Sequence, residues 1–267
     1  MLIQRVITGA IFGIAVTVAV LLSPTFVAAA ALGVLFVAGA WEWAALARLE
    51  PRSRILYVAA FAAVMLAGPL WVLRPDAVAA ALLVAVVWWA LALVAVVTYP
   101  RPLPHAAVAA AGIAALLPPW AALTHLHAAV AAGPGLAMTV IAIVWSADVG
   151  AYFTGRAIGR VKLAPNVSPG KTWEGVAGGV ALAAIVAAAA ARLLALPVLP
   201  LVAVGAATAL VSVLGDLTVS ICKRNVGVKD TGRLLPGHGG VLDRIDSLTA
   251  GVPAFVLGLL AAGLIHH

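Results

Sequence analysis

Of 267 residues, 65% are hydrophobic and 9% are charged, and the mean hydropathy of +1.17 lies far above that of an ordinary soluble domain. The formal charge of +7 could suggest a nucleic-acid partner, but no aromatic residues interleave the basic ones as a stacking platform requires, so none is expected. The single cysteine, Cys222, excludes an intramolecular disulfide.

Apolar runs of about twenty residues recur along the chain, each long enough to cross a hydrocarbon core of about 30 Å as a helix. Backbone groups in lipid must pair internally, so these runs predict helices and not open strands. The strict alternation of a β-barrel is missing. Nine spans are predicted, roughly at 6–22, 26–46, 55–73, 77–98, 106–124, 136–155, 175–195, 198–220 and 247–265. The first lacks a small-residue cleavage site and reads as a retained membrane helix. The fifth carries Pro118, Pro119 and Trp120, which predict a kink or break. Abundant alanine and glycine suit close helix packing in a membrane. The expected fold is therefore all-α, a polytopic integral membrane bundle of about nine transmembrane helices. Its outer faces would meet membrane lipids, and could serve a homodimer equally well.

Charge orients the bundle. One side would hold the N-terminus and the segments 47–54, 99–105, 156–174 and 221–246, with Arg5, Arg48, Arg52, Arg54, Arg101, Arg156, Arg160, Lys162, Lys171, Lys223, Arg224, Lys229, Arg233 and Arg244. Only Arg74 and Arg192 fall on the other side. The positive-inside rule places the rich side in the cytoplasm, as expected for a bacterial inner-membrane protein. The longest polar segments lie late in the chain. Residues 1–135 are accordingly read as scaffold and lipid-facing helices, and 136–267 as helices with catalytic cytoplasmic loops.

In chain order, the first chemical candidate is Asp148, in "WSADVGAYFTGR", an ionisable group inside an apolar span flanked by Ser146 and Tyr152. A hydrogen bond to a neighbouring helix is its plainer explanation. "SPGKTWEG" follows, where Ser168 or Thr172 would cap the seventh span, backbone amides would favour an anion, and Lys171 adds a mobile cation. It lacks the spacing of a Walker loop and no strand is expected before it. Asp216, Ser220 and Lys223 share one helical face. An Asp216–Lys223 pair would relieve charge, although the two lie two turns apart. In "LLPGHGG", Pro236, Gly237, Gly239 and Gly240 permit tight turns, and the run could form an anion nest, with His238 bonding a phosphate or carboxylate, or be only a turn. Asp243 and Asp246, three apart at the start of the last span, would repel each other unless a cation lay between them. A divalent metal or simple helix capping would each account for them, since Mg2+ is held by one or two carboxylates plus substrate phosphates. Carboxylates, metal and many cations together suit phosphoryl or nucleotidyl transfer, with a lipid as one substrate.

The stretch "SICKRNVGVKDTGRLLPGHGGVLDRID", Ser220 to Asp246, resembles the long signature of the phosphatidate cytidylyltransferases, the CDP-diacylglycerol synthases. "DVGAYFTGRAIGR" from Asp148 and "LAPNVSPGKTWEG" from Leu163 look like parts of the same family. The resemblance implies a reaction of CTP with phosphatidate to give CDP-diacylglycerol and pyrophosphate, with Mg2+ as cofactor and a second cation as a further expectation. It implies metal-binding roles for Asp216, Asp243, Asp246 and Asp148, and catalytic roles for Asp216, Lys223, Asp243 and Asp246. Ser168, Lys171, Thr172, Glu174, Ser220, Arg224, Lys229, Asp230, His238 and Arg244 would bind substrate. Two positions depart from the pattern. Cys222 stands where a larger apolar residue is usual, and Gly170 where many members carry a second lysine. Two other functions remain open from sequence: transfer to an isoprenoid lipid, and an ion-coupled transporter. Clustering of the charge at one surface and the lack of a repeat weigh against the transporter.

Overall fold

The computed structural model describes residues 2–129, 132–232, 234 and 239–265. Among them run nine α-helices: α1 (Leu2–Leu22), α2 (Thr25–Leu46), α3 (Pro51–Leu66), α4 (Pro75–Val97), α5 (His105–Ala129), α6 (Gly133–Ile158), α7 (Trp173–Leu193), α8 (Val198–Asn225) and α9 (Leu242–Ala261). A short 3-10 turn, Gly68–Leu70, follows α3. Seven helices, α2 and α4 to α9, are long and apolar enough to cross a membrane. Of the other two, α1 has a shorter apolar stretch, Ile7–Leu22, and α3 spans 16 residues. The protein is a polytopic helical membrane protein, as its hydropathy predicts.

Local chemistry sets the helix starts. Pro51 and Pro75 open α3 and α4, where a missing N–H removes no intrahelical bond. Thr172 caps α7, its Oγ1 accepting from the Gly175 amide at 3.1 Å. The expected break at Pro118 and Pro119 is absent: α5 runs through both as one helix. The physical reason is burial. Residues 118–127 are buried without interruption, so packing on all sides outweighs the backbone bonds that two prolines remove.

Side-chain pattern separates lipid-facing from packed surface. On α4 the buried residues Val78, Leu82, Ala85, Trp89 and Ala92 form one stripe. Leu83, Val87, Leu91 and Val94 stay exposed on the other faces, an arrangement suited to hydrocarbon and not to water. On α7 the buried positions are Gly175, Gly179, Ala183, Ala187 and Ala191, a small residue every fourth place. That stripe lets α7 lie close against its neighbours. Helix α9 is the most enclosed of the late helices, with an unbroken buried run from Ile245 to Pro253.

One feature outside the apolar spans differs from the sequence expectation. Segment 156–174, read as a loop into a helix, contains a two-stranded antiparallel sheet, β1 (Lys162–Ala164) and β2 (Ser168–Thr172), pairing Lys162 with Thr172 and Ala164 with Ser168. The argument against strands applies only inside hydrocarbon. Past the end of α6 a hairpin can satisfy its edges with water.

The connections predicted to share one side do meet at one end. Asn225, at the end of α8, accepts from the Leu103 amide and donates to the Leu103 carbonyl, both at 3.1 Å. Arg224 Nε donates to the Val167 carbonyl between the strands at 3.4 Å. Glu42, near the end of α2, accepts from the amides that begin α9. The α4–α5, α6–α7 and α8–α9 connections and the end of α2 are thus tied together.

Candidate active site

At that end, side chains from four elements converge. β2 places Lys171 beside Asp216 of α8, with Nζ 2.7 Å from Oδ2. Ser220, one turn along α8, donates to Asp216 Oδ1 at 3.2 Å. The charge partner of Asp216 is therefore Lys171 from a distant segment, not Lys223 on its own helix. Lys223 turns to α9 and meets Asp243 Oδ1 at 2.9 Å. Asp243 Oδ2 accepts from the amides of Thr231 at 3.0 Å and Gly240 at 3.3 Å. This carboxylate folds the α8–α9 connection back onto the start of α9.

Asp246 lies three residues further and has different surroundings. It is buried, 7% exposed, and accepts from the Ser247 amide at 2.7 Å. Its backbone carbonyl accepts from the Thr249 hydroxyl. Among the described residues Asp246 forms no salt bridge: Asp216 and Asp148 repel its charge, and Lys223 and Lys171 attract it without contact. Helices α8 and α9 approach so closely here that a side chain at Gly215 would strike the Asp246 carbonyl. Asp148 of α6 completes the group, accepting from Ser247 Oγ at 3.4 Å. A structural bond to a neighbouring helix is thus present, though long. Asp148 is exposed, Asp216 half-buried and Asp246 buried, so the three carboxylates grade from the surface into the bundle.

Not every candidate is drawn in. Thr172 caps α7, and Glu174 accepts from the Val161 amide through both oxygens at 3.1 and 3.2 Å, fixing the start of the hairpin. Ser168 pairs within the sheet. Lys229 and Asp230 are exposed on the α8–α9 connection. Arg244, exposed on α9, is close enough to act on the charge of Asp148. His238, with Pro236 and Gly237 of the expected anion nest, lies outside the described residues, as do Arg233, His266 and His267.

Sequence reasoning missed Glu42. This α2 residue is 2% exposed and accepts from Thr231 Oγ1 at 2.8 Å, the Val241 amide at 3.2 Å and the Leu242 amide at 2.8 Å. Thr231 joins two carboxylates, its hydroxyl on Glu42 and its amide on Asp243. Gly232 and Gly240 press against the Glu42 carboxylate, and any side chain at either would collide with it. A lone carboxylate in the apolar run "GAWEWAAL" was the available signal. Ser247 was also missed, because a serine in a helix carries no chemistry until its neighbours are known.

The donor set is all oxygen, which matches a hard cation such as Mg2+. Among the described residues, no three His, Cys, Asp or Glu side chains converge tightly enough to grip a metal ion by themselves. That spacing still fits an ion held by one or two carboxylates and completed by substrate phosphates. The burial of Asp246 without a salt bridge among the described residues, beside Asp148 and Asp216, is the observation that favours a cation here.

Comparison with known proteins gives a consistent result. Residues 3–261 match the Cytidylyltransferase family. The chain is 47% identical to a phosphatidate cytidylyltransferase of Pseudomonas aeruginosa, covering 98% of each chain. It is 40% identical to one from Haemophilus influenzae, over 96% of this chain and 97% of the relative. A Bacillus subtilis phosphatidate cytidylyltransferase is 46% identical over 45% of each chain. The resemblance drawn from the three sequence motifs is borne out, and it extends through the N-terminal helices as well.

Proposed function

This chain belongs to the cytidylyltransferase family, and we propose that it is a CTP:phosphatidate cytidylyltransferase of phospholipid biosynthesis, transferring CMP from CTP to phosphatidate with Mg2+ at the cytoplasmic face of a bacterial inner membrane. An oxygen of the phosphatidate phosphate attacks the α-phosphorus of CTP. The bond from that phosphorus to the β-phosphate bridging oxygen breaks, and pyrophosphate leaves. The products are CDP-diacylglycerol and pyrophosphate. A phosphate monoester has its second pKa at about 6, so the attacking dianion is available near neutral pH without a base.

The observation that carries this reading is the convergence of Asp148, Lys171, Asp216, Lys223, Asp243 and Asp246 at one end of an apolar bundle. Two polyanions must be brought together, and the protein's task is positioning and charge neutralisation. Lys171 and Lys223 each spend a hydrogen-bond donor on a carboxylate, and an ammonium has three. The remaining donors can take phosphate oxygens while the carboxylates hold each lysine in place. One or two of Asp216, Asp246 and Asp148 would hold Mg2+ together with substrate phosphates, and Asp243 orients Lys223. When bound, the metal supplies neutralisation of phosphate charge. Arg224, Lys229 and Arg244 extend the positive field around the site. The concentration of cations in the segments at this end supports a cytoplasmic orientation.

The test is transfer of labelled CMP from CTP to phosphatidate in detergent micelles, with Mg2+ and with EDTA. The reading expects label in the lipid with Mg2+ and none with EDTA. Transfer to a polyprenol or an isoprenoid ether lipid, with none to phosphatidate, would assign a different acceptor.

A further inference from the structure

The N-terminal half contains a feature that the charged site does not use. A cavity of about 1180 Å3 runs along α2, walled by α3 on one side and α5 on the other. Its lining is almost wholly apolar. Along α2 it extends from Thr25 past Ala30, Val34 and Ala38 to Trp41. Sixteen residues of helix rise about 24 Å, so the groove is longer than one leaflet of a hydrocarbon core about 30 Å thick. Its wall is ordered: Trp120 of α5 donates from Nε1 to the Ala29 carbonyl at 3.0 Å.

The two ends of the groove differ. The Thr25 end lies beside buried His125 and His127, which among the described residues bond to Thr25 and to backbone carbonyls. The Trp41 end adjoins the active-site framework. Trp41 precedes Glu42, which holds Thr231 and the first amides of α9. Leu234, from the same α8–α9 connection, lines the groove. Arg54 is fixed at this mouth, its guanidinium carbon 3.9 Å from the centre of the Trp41 ring and its Nε donating to the Trp41 carbonyl at 3.0 Å. A molecule lying here would have an apolar tail within the membrane and an anionic head between Arg54 and the α8–α9 connection, whose Thr231 amide donates to Asp243.

We propose that this groove binds an acyl chain of the glycerolipid acceptor, and that the depth of α2 side chains along it sets chain-length selectivity. The proposal rests on phosphatidate being the acceptor. Bulk lipid could wet the same surface, but only a substrate chain couples groove depth to turnover. Continuity with the Glu42–Thr231 framework commits the occupant to the substrate.

The experiment compares kcat/KM for dioctanoyl and dioleoyl phosphatidate in detergent, for the full chain and for Ala30→Phe, Ala38→Phe and Ala62→Phe. Ala30 is exposed into the groove, about three turns below Trp41, and a ring there fills space without displacing the core. Ala38 lies one turn from the mouth. In Ala30→Phe the dioleoyl-to-dioctanoyl ratio should fall about 10-fold. In Ala38→Phe both substrates should lose activity and the ratio should change little. Ala62→Phe, entering from α3, should lower the ratio as Ala30→Phe does, and it carries the test if Ala30→Phe does not fold. A ratio unchanged in both Ala30→Phe and Ala62→Phe would overturn the proposal. If the unaltered chain transferred CMP to neither phosphatidate, the assignment of the acceptor would fall, a result distinct from an unchanged ratio.

Discussion

The two ends of the bundle each carry an ion pair of the same length, set in opposite surroundings. Between α3 and α4, at the end away from the carboxylate cluster, Arg74 meets Asp76 at 2.9 Å with side chains 66% and 69% exposed. At the clustered end, Lys223 meets Asp243 at 2.9 Å with side chains 14% and 11% exposed. Water screens the first pair, which contributes little. Removing one partner of the second leaves a largely desolvated charge without its counter-ion, which costs about 3–5 kcal/mol. Contact distance alone does not mark a site. Withdrawal from water and convergence with further charges do, and only the second end has both.

Substitutions at the two ends should have unequal effects. The largest effect is expected at Asp246, which is buried beside two other carboxylates. Asp246→Asn should lower CMP transfer by about 10^3-fold or more, since it removes a carboxylate that would hold the cation neutralising phosphate charge. Lys171→Ala and Lys223→Ala come next, each lowering transfer by about 10^2-fold. A lower melting temperature should accompany both, because Asp216 or Asp243 is left without its cation.

Glu42→Gln should act more mildly and indirectly. Three donors converge on this carboxylate, and the amide nitrogen of glutamine cannot accept from any of them. An unsatisfied buried donor costs about 1–3 kcal/mol, read as a fall in melting temperature. Activity should drop about 10-fold through a displaced α8–α9 connection. Glu42→Asp, which keeps the charge but shortens the reach, should recover part of the stability and less of the rate. The smallest effect is expected at the exposed end, where Asp76→Asn should change neither melting temperature nor transfer measurably. A loss there comparable to that of Lys223→Ala would remove the distinction between the two ends.

The helices were legible because hydropathy and length together decide what can cross a membrane, and the observed helices follow the predicted spans closely. Proline content was a weaker guide. Pro118 and Pro119 suggested a break, but the effect of a proline depends on how tightly its surroundings pack, and α5 is buried around both. The hairpin of β1 and β2 was hidden because two strands of three and five residues outside hydrocarbon carry no hydropathy signal. Within the site, the motifs named Asp148, Lys171, Asp216, Lys223, Asp243 and Asp246, but helical spacing did not supply their partners. It showed that Lys223 lies two turns from Asp216, too far to satisfy it easily, and that Asp243 and Asp246 lie three residues apart. The fold instead pairs Lys171 with Asp216 and Lys223 with Asp243, and turns Asp246 toward Asp148. Such pairings depend on how α6, α8 and α9 cross, which local periodicity does not contain. Glu42 lies nearly two hundred residues from its partners Val241 and Leu242, beyond any motif.

The most direct test of the central claim, that the two polyanionic substrates meet at the clustered end, is a side-by-side assay of labelled CMP transfer from CTP to phosphatidate. It compares the unaltered chain with Asp246→Asn and Asp76→Asn, each confirmed as a monodisperse, folded protein in detergent. The account predicts Mg2+-dependent transfer by the unaltered chain and by Asp76→Asn, and its loss in Asp246→Asn. Full transfer by folded Asp246→Asn would contradict it, and would place the chemistry away from the α6, α8 and α9 carboxylates.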